Sequence, residues 1–203
     1  MRPASLLFLI PAVLSAQPFT IGVKGGVRLT GDLDSPSADS ESQRYVVGPM
    51  VTAKLPLGFR FEFDALYRHV AFRTSFGNFF SSSTERDHGN SWEFPLIVRH
   101  GVWRGVYAGV GYAPRVINGS GHVNQVVTLP VSFYSVDQPG DWNTTHGVIG
   151  AAGIEKRVGP LRFAPEVRYT FWSTSALDKF GPQGYFVRSA QHQVDLLIGI
   201  SFP

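Results

Sequence analysis

Cysteine is absent from this 203-residue sequence. Its absence excludes disulfides, thiolate nucleophiles, and zinc or iron–sulfur sites held by cysteine. Charge is sparse as well, with 16% Asp, Glu, Lys and Arg, where a soluble domain averages about 25%. The sequence also lacks any run of about 18 apolar residues, the length of a transmembrane helix. Lys and Arg form no cluster, and a net charge of +3 gives no indication of nucleic-acid binding.

Aromatic residues, glycine and proline are plentiful instead. Aromatics make up 13% of the chain, and 22 glycines and 14 prolines are spread along it. Turn residues at this frequency between apolar stretches indicate many short strands, and the length predicts one domain.

The N-terminus has the pattern of an export signal. A basic start at Met1 and Arg2 precedes the apolar stretch 6–14, and the small residues Ser15 and Ala16 follow it. We therefore predict a cleaved signal peptide at 1–16 and a single domain at 17–203.

After residue 17 the dominant periodicity is two, the pattern of strands with one apolar and one polar face. Eight such segments are predicted, at 19–30, 45–55, 59–68, 92–99, 106–115, 147–155, 161–171 and 191–202. Short connections at 56–58, 101–104 and 158–160 alternate with long ones at 31–44, 73–91, 118–143 and 173–188. The pattern predicts an up-and-down meander with tight hairpins at one end and long loops at the other.

An eight-stranded meander closes readily into a barrel. The residues of its polar face indicate which face of the strands lines the interior. Arg outnumbers Lys on that face, and Arg is suited to enclosed ion-pair networks. Aromatic residues lie near both ends of the apolar face, as at two membrane interfaces. We therefore predict a membrane barrel whose narrow lumen is plugged by ion pairs. The charged residues predicted to face this lumen are Lys24, Arg28, Lys54, Arg60, Arg68, Arg99, Arg115, Arg162, Arg168, Glu62, Asp64, Glu93, Glu155, Glu166 and Asp195.

Over nearly all of 17–203 the sequence resembles the bacterial outer-membrane β-barrel families. The resemblance rests on FTIGVKGGV at 19–27, WEFPL at 92–96, VYAGVGYAPR at 106–115 and a last strand that ends in Ile200, Ser201 and Phe202. It implies an all-β fold, an eight-stranded antiparallel up-and-down transmembrane β-barrel in the bacterial outer membrane. Contact with outer-membrane lipid and lipopolysaccharide, and recognition by the barrel-assembly machinery, are further implications. Pro203 departs from the family pattern, in which the aromatic residue is commonly last.

No residue pattern assigns a catalytic, cofactor-binding or metal-binding site. The lipid A deacylases carry His-x-Ser along one strand, and none of the six histidines fits that spacing. We therefore predict a monomeric protein that is not an enzyme and binds no cofactor, with a structural, adhesive or ligand-sensing role for its long loops. Two alternatives stay open: an outer-membrane enzyme that modifies lipid, and a secreted soluble barrel that binds a hydrophobic ligand.

The long loops carry apolar residues that could meet such a partner. Phe76, Phe79 and Phe80 lie in the second long loop, and VVTLPVSFY at 126–134 lies in the third. Exposed apolar surface of this kind favours contact with a partner or with lipopolysaccharide. Packing of the aromatics on one another, to cap the barrel, is an equally good interpretation.

One position tests the orientation of the wall. Val110 is predicted to face lipid near the middle of its strand, and its neighbour Gly111 to face the lumen. We expect a small polar residue at Gly111 to cost less than a cation at Val110, if space permits.

Overall fold

The computed structural model describes residues 19–33, 38–77, 79, 81–128, 131–138, 142–173, 179–180, 186–187 and 189–202. The predicted signal peptide lies outside these residues. The described elements are strands and one 3₁₀ turn, Pro56–Gly58. The strands are β1 (Phe19–Arg28), β2 (Ala38–Ser40), β3 (Tyr45–Lys54), β4 (Phe59–Asp64), β5 (Leu66–Gly77), β6 (Ser81–Glu93), β7 (Leu96–Trp103), β8 (Val106–Thr128), β9 (Val131–Gln138), β10 (Trp142–Ile154), β11 (Lys156–Val158), β12 (Leu161–Trp172), β13 (Lys179–Phe180), β14 (Phe186–Val187) and β15 (His192–Phe202).

Antiparallel backbone pairing closes these strands into one barrel. β1 pairs with β3 on one side and with β15 on the other, so the first and last strands join. Between them the wall runs through β4 and β5, then β6 and β7, then β8, β10 and β12. β4 with β5, and β6 with β7, are each one wall segment with a short interruption. The result is eight wall segments in up-and-down order, which confirms the predicted fold.

The two central hairpins are much longer than the sequence predicted. β5 and β6 stay paired from Leu66 with Glu93 to Gly77 with Ser82, and β8 runs on to pair with β9. The loops predicted at 73–91 and 118–143 are therefore wrong over most of their length. These stretches are polar on both faces, as in SSSTERDHGNS at 81–91. A strand that contacts water on both faces shows no alternation of apolar and polar residues.

The three predicted short turns are confirmed, and their backbone explains their residues. Arg104 and Gly105 have φ of 35° and 88°, both positive, as the two central positions of a type I′ hairpin turn require. Leu57 and Gly58 are also left-handed, at 60° and 78°. These turns define the short-turn end of the barrel; the long hairpins define the opposite, hairpin end.

The outward face of the barrel is apolar between two rows of aromatic residues. Val110, in the part of β8 near the short-turn end, is 70% exposed to the surroundings of the barrel. Phe59 and Tyr67 mark the two rows on one wall segment and are separated by roughly 26 Å along the strand at about 3.3 Å per residue, or roughly 20 Å in height at a strand tilt of about 35–45°. An apolar band of about 25 Å with aromatic girdles is the surface that a lipid bilayer covers. The further outward aromatics of the two rows are Phe19, Phe202, Tyr45, Trp92, Tyr112 and Tyr169.

This orientation decides between the membrane and soluble barrels. Apolar side chains point outward, and charged side chains point into the lumen, where Lys24 and Arg168 are each 1% exposed. The prediction of a transmembrane barrel is confirmed, and the alternative of a soluble barrel with an apolar ligand cavity is wrong. Among the described residues, no helix has the length and apolar character needed to cross a membrane.

Gly111 faces the lumen, as predicted, but no space is left beside it. A Cβ atom there would lie 2.3 Å from the backbone oxygen of Leu96 on the neighbouring strand. The condition of that expectation, free space beside Gly111, is therefore not met, because β7 and β8 approach too closely.

Candidate functional site: a charged lumen with two different mouths

The middle of the lumen holds a central cluster of two cations and three carboxylates, Lys24, Arg168, Glu62, Asp64 and Glu166. Lys24 Nζ contacts Glu62 and lies 3.3 Å from Asp64 Oδ2 and 3.4 Å from Glu166 Oε2. Arg168 Nη2 lies 2.8 Å from Asp64 Oδ2 and 2.7 Å from Glu166 Oε1. The cluster draws on β1, β4 and β12, so its ion pairs hold opposite walls of the barrel together.

The period of two explains why these residues meet. Glu62 and Asp64 follow Arg60 on the inward face of β4, at a rise of roughly 3.3 Å per residue. Arg60 and Asp64 are then roughly 13 Å apart and cannot pair with each other. Arg60 instead pairs with Glu155, and Asp64 with the cations of the central cluster.

A second cluster, the hairpin-end cluster, lies nearer the long hairpins. Arg28 donates to Glu93 at 2.8 Å, to Asp195 at 3.2 Å and to Asp32 at 3.0 Å. Gln193 donates to Asp195 at 2.6 Å and to Glu93 at 3.3 Å. Carboxylates from two wall segments and from the stretch that follows β1 therefore converge on one guanidinium.

Asp32 joins this cluster from the segment that follows β1. It accepts from Arg68 Nη1 at 2.6 Å as well as from Arg28. Burial by itself would raise the pKa of this carboxyl group, but the charges of Arg68 and Arg28 outweigh it and lower the pKa of Asp32 to about 2. Asp32 is therefore ionised at neutral pH and seals this mouth with an ion pair.

A layer of apolar side chains also obstructs the lumen. Ile97 lies on the inward face of its wall segment between Glu93 of the hairpin-end cluster and Arg99, and it is 1% exposed. Trp172 packs with Ile97, donates to Gln193 at 2.8 Å and stacks under the guanidinium of Arg115 at 3.9 Å. The other buried members of the layer are Ala113, Ile149 and Ala151.

The short-turn end is different, because it opens into a cavity of about 200 Å³. Arg60, Arg99 and Glu155 line this cavity, and Arg162 lies 3.8 Å from Glu155. Arg99 packs over the ring of Tyr107 at 4.7 Å. We call this cavity the vestibule.

All fifteen charged residues predicted to face the lumen lie on the inward face, and all of them except Lys54 are buried or half-buried. Lys54 is the direct cross-strand partner of Arg60 and shares its inward side, but it is exposed at the end of β3, next to the Pro56 turn. Sequence reasoning missed Asp32, because Asp32 lies outside the alternating segments. It also missed Gln193, an uncharged member of the hairpin-end cluster.

At the outer girdle, three tyrosines repeat one contact. Tyr67 donates to Asn90 at 2.7 Å, and Tyr112 and Tyr169 lie 2.6 Å and 2.7 Å from the Nδ1 atoms of His146 and His192. Each partner lies on the adjacent strand, two residues nearer the hairpin end than the residue directly opposite the tyrosine. These phenols have apolar rings in the bilayer band and polar tips at its edge.

The β8–β9 hairpin ends in an apolar tip. Val131 and Phe133 are 69% and 78% exposed on its outer side, together with Val126. Tyr134 lies on the other side. Phe79 is also exposed, at the end of the β5–β6 hairpin; Phe80 and the side chain of Phe76 lie outside the described residues.

Nearer the barrel on the same hairpin, three side chains are arranged in the sequence Asp–His–Ser that catalytic triads of hydrolases use. Ser135 Oγ lies 3.3 Å from His122 Nε2, and the other ring nitrogen of His122 contacts Asp137. The side chain of Asp137 is 90% exposed, so water competes for each of these hydrogen bonds.

No protein-family model matches the sequence, and no characterised protein sequence matches it significantly. Among solved structures the chain is similar to the Neisserial surface protein A (NspA), at 11% identity and a TM-score of 0.40, over 91% of this chain and 95% of that one. It is also similar to Ail, the attachment invasion locus protein of Yersinia pestis, at 10% identity and a TM-score of 0.33, over 92% and 97%. The strand pairing, the apolar belt and the charged lumen define the protein as a small eight-stranded transmembrane β-barrel. This is the fold of the small outer-membrane barrels that the sequence resembles.

Proposed function

We propose that the protein is an outer-membrane barrel that binds a partner outside the cell through its long hairpins, in an adhesive or ligand-sensing role. The apolar tip of the β8–β9 hairpin carries this proposal. In this proposal residues 1–16 are the cleaved export signal, the barrel-assembly machinery inserts the mature chain as a monomer, and no chemical reaction is catalysed.

The tip stands too far from the bilayer to anchor in it. Tyr112 marks the outer girdle on β8, and Val126 lies roughly 46 Å further along the strand at about 3.3 Å per residue. The outward residues between them include Asn118, Ser120 and Asn124, which are polar. An exposed apolar patch beyond a polar stretch is a surface for a partner rather than for lipid.

The polar stretch itself suits lipopolysaccharide, the other proposed partner. Arg73 and Arg86 face each other on the outward side of β5 and β6, above the girdle formed by Tyr67 and Trp92. Like charges in direct cross-strand register destabilise a sheet, and an anionic headgroup between them would remove the repulsion. Anionic sugar phosphates of the outer leaflet lie at this level.

The lumen supports a binding role rather than a transport role. Eight strands leave an interior that side chains can fill, and here two ion clusters and an apolar layer fill it. In this proposal the barrel is a rigid, closed support for the hairpins and conducts no steady ion flow.

The experiment compares adhesion of cells that display the wild-type barrel or the variant Phe133→Ser/Tyr134→Ser. We expect the variant to fold and to lose adhesion. Leu57→Ser is the matched control, since Leu57 is 87% exposed but lies at the short-turn end. Equal adhesion of all three proteins, at equal surface density, would refute the hairpin proposal.

The relay of Ser135, His122 and Asp137 favours a second candidate, hydrolysis of an ester at the outer surface. This is the lipid-modifying alternative in a specific form, since an Asp–His–Ser chain can activate a serine hydroxyl. The test is release of a fluorogenic acyl ester by the folded barrel. Activity that Ser135→Ala abolishes and Ser132→Ala keeps would support it, and no activity above buffer would eliminate it.

A further inference from the structure

The short-turn end of the barrel carries a strong excess of positive charge. In the three stretches that form it, 52–60, 99–107 and 153–163, the only acidic residue is Glu155. The basic residues of the same stretches are Lys54, Arg60, Arg99, Arg104, Lys156, Arg157 and Arg162. This end of the barrel therefore attracts anions.

The vestibule is the cavity at this end that an anion can enter. Its cavity of about 200 Å³ is bordered at the rim by Gly58, Gly101 and Gly105. A Cβ atom built on Gly101 would meet nothing within 4 Å, so the rim is open at Gly101. The inner lining is polar, with Arg60, Arg99, Tyr107 and Glu155.

The guanidiniums of the vestibule are not saturated by protein carboxylates. Arg60 and Arg99 are direct cross-strand partners on the inward face, an arrangement of like charges that is unfavourable unless an anion lies between them. Glu155 binds Arg60 closely, but Arg99 Nη2 and Arg162 Nη1 lie 3.7 Å and 3.8 Å from its oxygens. Those distances allow ionic attraction and exceed the length of a hydrogen bond.

Arg99 also has donor capacity left over. The residue is 5% exposed, and its Nε has no hydrogen-bond partner among the described residues. Its Nη1 is 3.0 Å from Glu62 Oε2 but is not aligned for a hydrogen bond. A buried guanidinium with unused donors is costly without an acceptor, and the vestibule lies beside it.

We propose that the vestibule is a binding site for a phosphate group that reaches the barrel from the short-turn end. Three arginines face Glu155 and, through Arg99, the one carboxylate of the central cluster in excess of its cations, Glu62. About one positive charge is left without a partner, and a phosphate monoester carries a charge of the opposite sign, about −1.5 to −2 at neutral pH. The planar fork of Arg binds phosphate oxygens through paired, charge-assisted hydrogen bonds. Arg99 supplies the unpartnered donors, Arg162 adds a positive charge beside Glu155, and Glu155 limits the affinity.

The phosphate group has two possible carriers. A soluble phosphate monoester would enter from the water below the barrel, and the headgroup of phosphatidic acid would enter from the adjoining leaflet. Both carriers present the same oxyanion to the same arginines, so the first measurement uses inorganic phosphate alone.

The experiment is calorimetric titration of inorganic phosphate into the full barrel, folded in an uncharged detergent. Arg162→Gln should weaken binding by about tenfold or more, the loss expected for a hydrogen bond to a charged group. Arg60→Gln, whose side chain is 31% exposed, is the second variant and should also weaken binding. Glu155→Gln should strengthen it, and Arg104→Gln is the matched control, because Arg104 is a charge of the same end that neither lines the cavity nor pairs with Glu155 and packs over Trp103 instead.

Saturable binding with that order of affinities would establish the site. Absence of saturable binding would overturn the proposal, and so would equal weakening by Arg104→Gln and Arg162→Gln or unchanged affinity in Glu155→Gln. The carrier is then identified in phosphatidylcholine vesicles with and without phosphatidic acid. Weaker binding of inorganic phosphate in the presence of phosphatidic acid supports the lipid carrier, and unchanged binding supports the soluble one.

Discussion

Replacing Lys24 by methionine should destabilise the barrel more than any change to a surface charge. Methionine keeps the length of the side chain and removes its ammonium group. In the central cluster Glu62, Asp64 and Glu166 would then remain buried with only two cations, Arg168 and Arg99, in contact with three carboxylates. Removing one partner of a buried ion pair typically costs about 3–5 kcal/mol.

The contacts of Lys24 give a similar magnitude. The contact of 3.3 Å with Asp64 is worth about 5 kcal/mol before desolvation, at an effective dielectric constant of about 20. Desolvation of the charges offsets part of this Coulomb energy, so we expect the free energy of unfolding to fall by about 3–5 kcal/mol at pH 7.

The assay is reversible urea unfolding of the barrel in vesicles, followed by tryptophan fluorescence. Lys54→Met is the matched control, since Lys54 is exposed at the end of β3 and should change stability by less than about 0.5 kcal/mol. Adding Glu62→Gln to Lys24→Met should recover part of the loss, because it removes one unpaired charge. A loss below about 1 kcal/mol in Lys24→Met would show that water fills the lumen and that the ion-pair plug is wrong.

Two further predictions concern the closed lumen and its outer seal. Planar-bilayer recordings should show no steady conductance, because side chains fill so narrow a barrel; a stable open channel would refute the plug. Asp32 should make stability depend on pH in a defined window. Its pKa is about 2 in the folded protein against an ordinary value of 3.8, so its contribution of about 2 kcal/mol is complete above pH 4 and is lost as the pH falls toward 2. In Asp32→Asn the urea midpoint should change less between pH 5 and pH 2 than in the wild type, and parallel curves would contradict this role.

Most of the fold could be predicted because the bilayer imposes a period of two on the wall. Between the girdles each strand has lipid on one side and the lumen on the other, so 59–68 and 191–202 show the alternation clearly. The hairpins beyond the girdle have water on both sides, and the same backbone pairing leaves no such trace in 81–91. The strands there are recognised only from the backbone pairing of β5, β6 and β8.

The lumen charges were predictable for the same reason, but their grouping was not. Alternation places Arg60, Asp64 and Glu155 on the inward face, but it does not give their positions along the barrel axis. Strand tilt and stagger decide that Arg60 meets Glu155 and not a nearer residue in the chain. Asp32 and the vestibule could not be predicted at all, because one depends on a segment without periodicity and the other on the space between three turns.

The orientation of the wall is the central claim, and one pair of variants on β8 tests it most directly. Val110→Arg places a cation on the outward face inside the apolar band, roughly 7 Å along the strand from Tyr112 of the outer girdle, and Asn124→Arg places the same cation on the same face of the same strand beyond the girdle. A cation costs about 2–4 kcal/mol at the bilayer midplane and about 0–1 kcal/mol near its edge, so in vesicles Val110→Arg should lower the free energy of unfolding by about 1–3 kcal/mol and Asn124→Arg by less than about 1 kcal/mol. Equal effects of the two substitutions would mean that Val110 does not face lipid, and the transmembrane barrel would be contradicted.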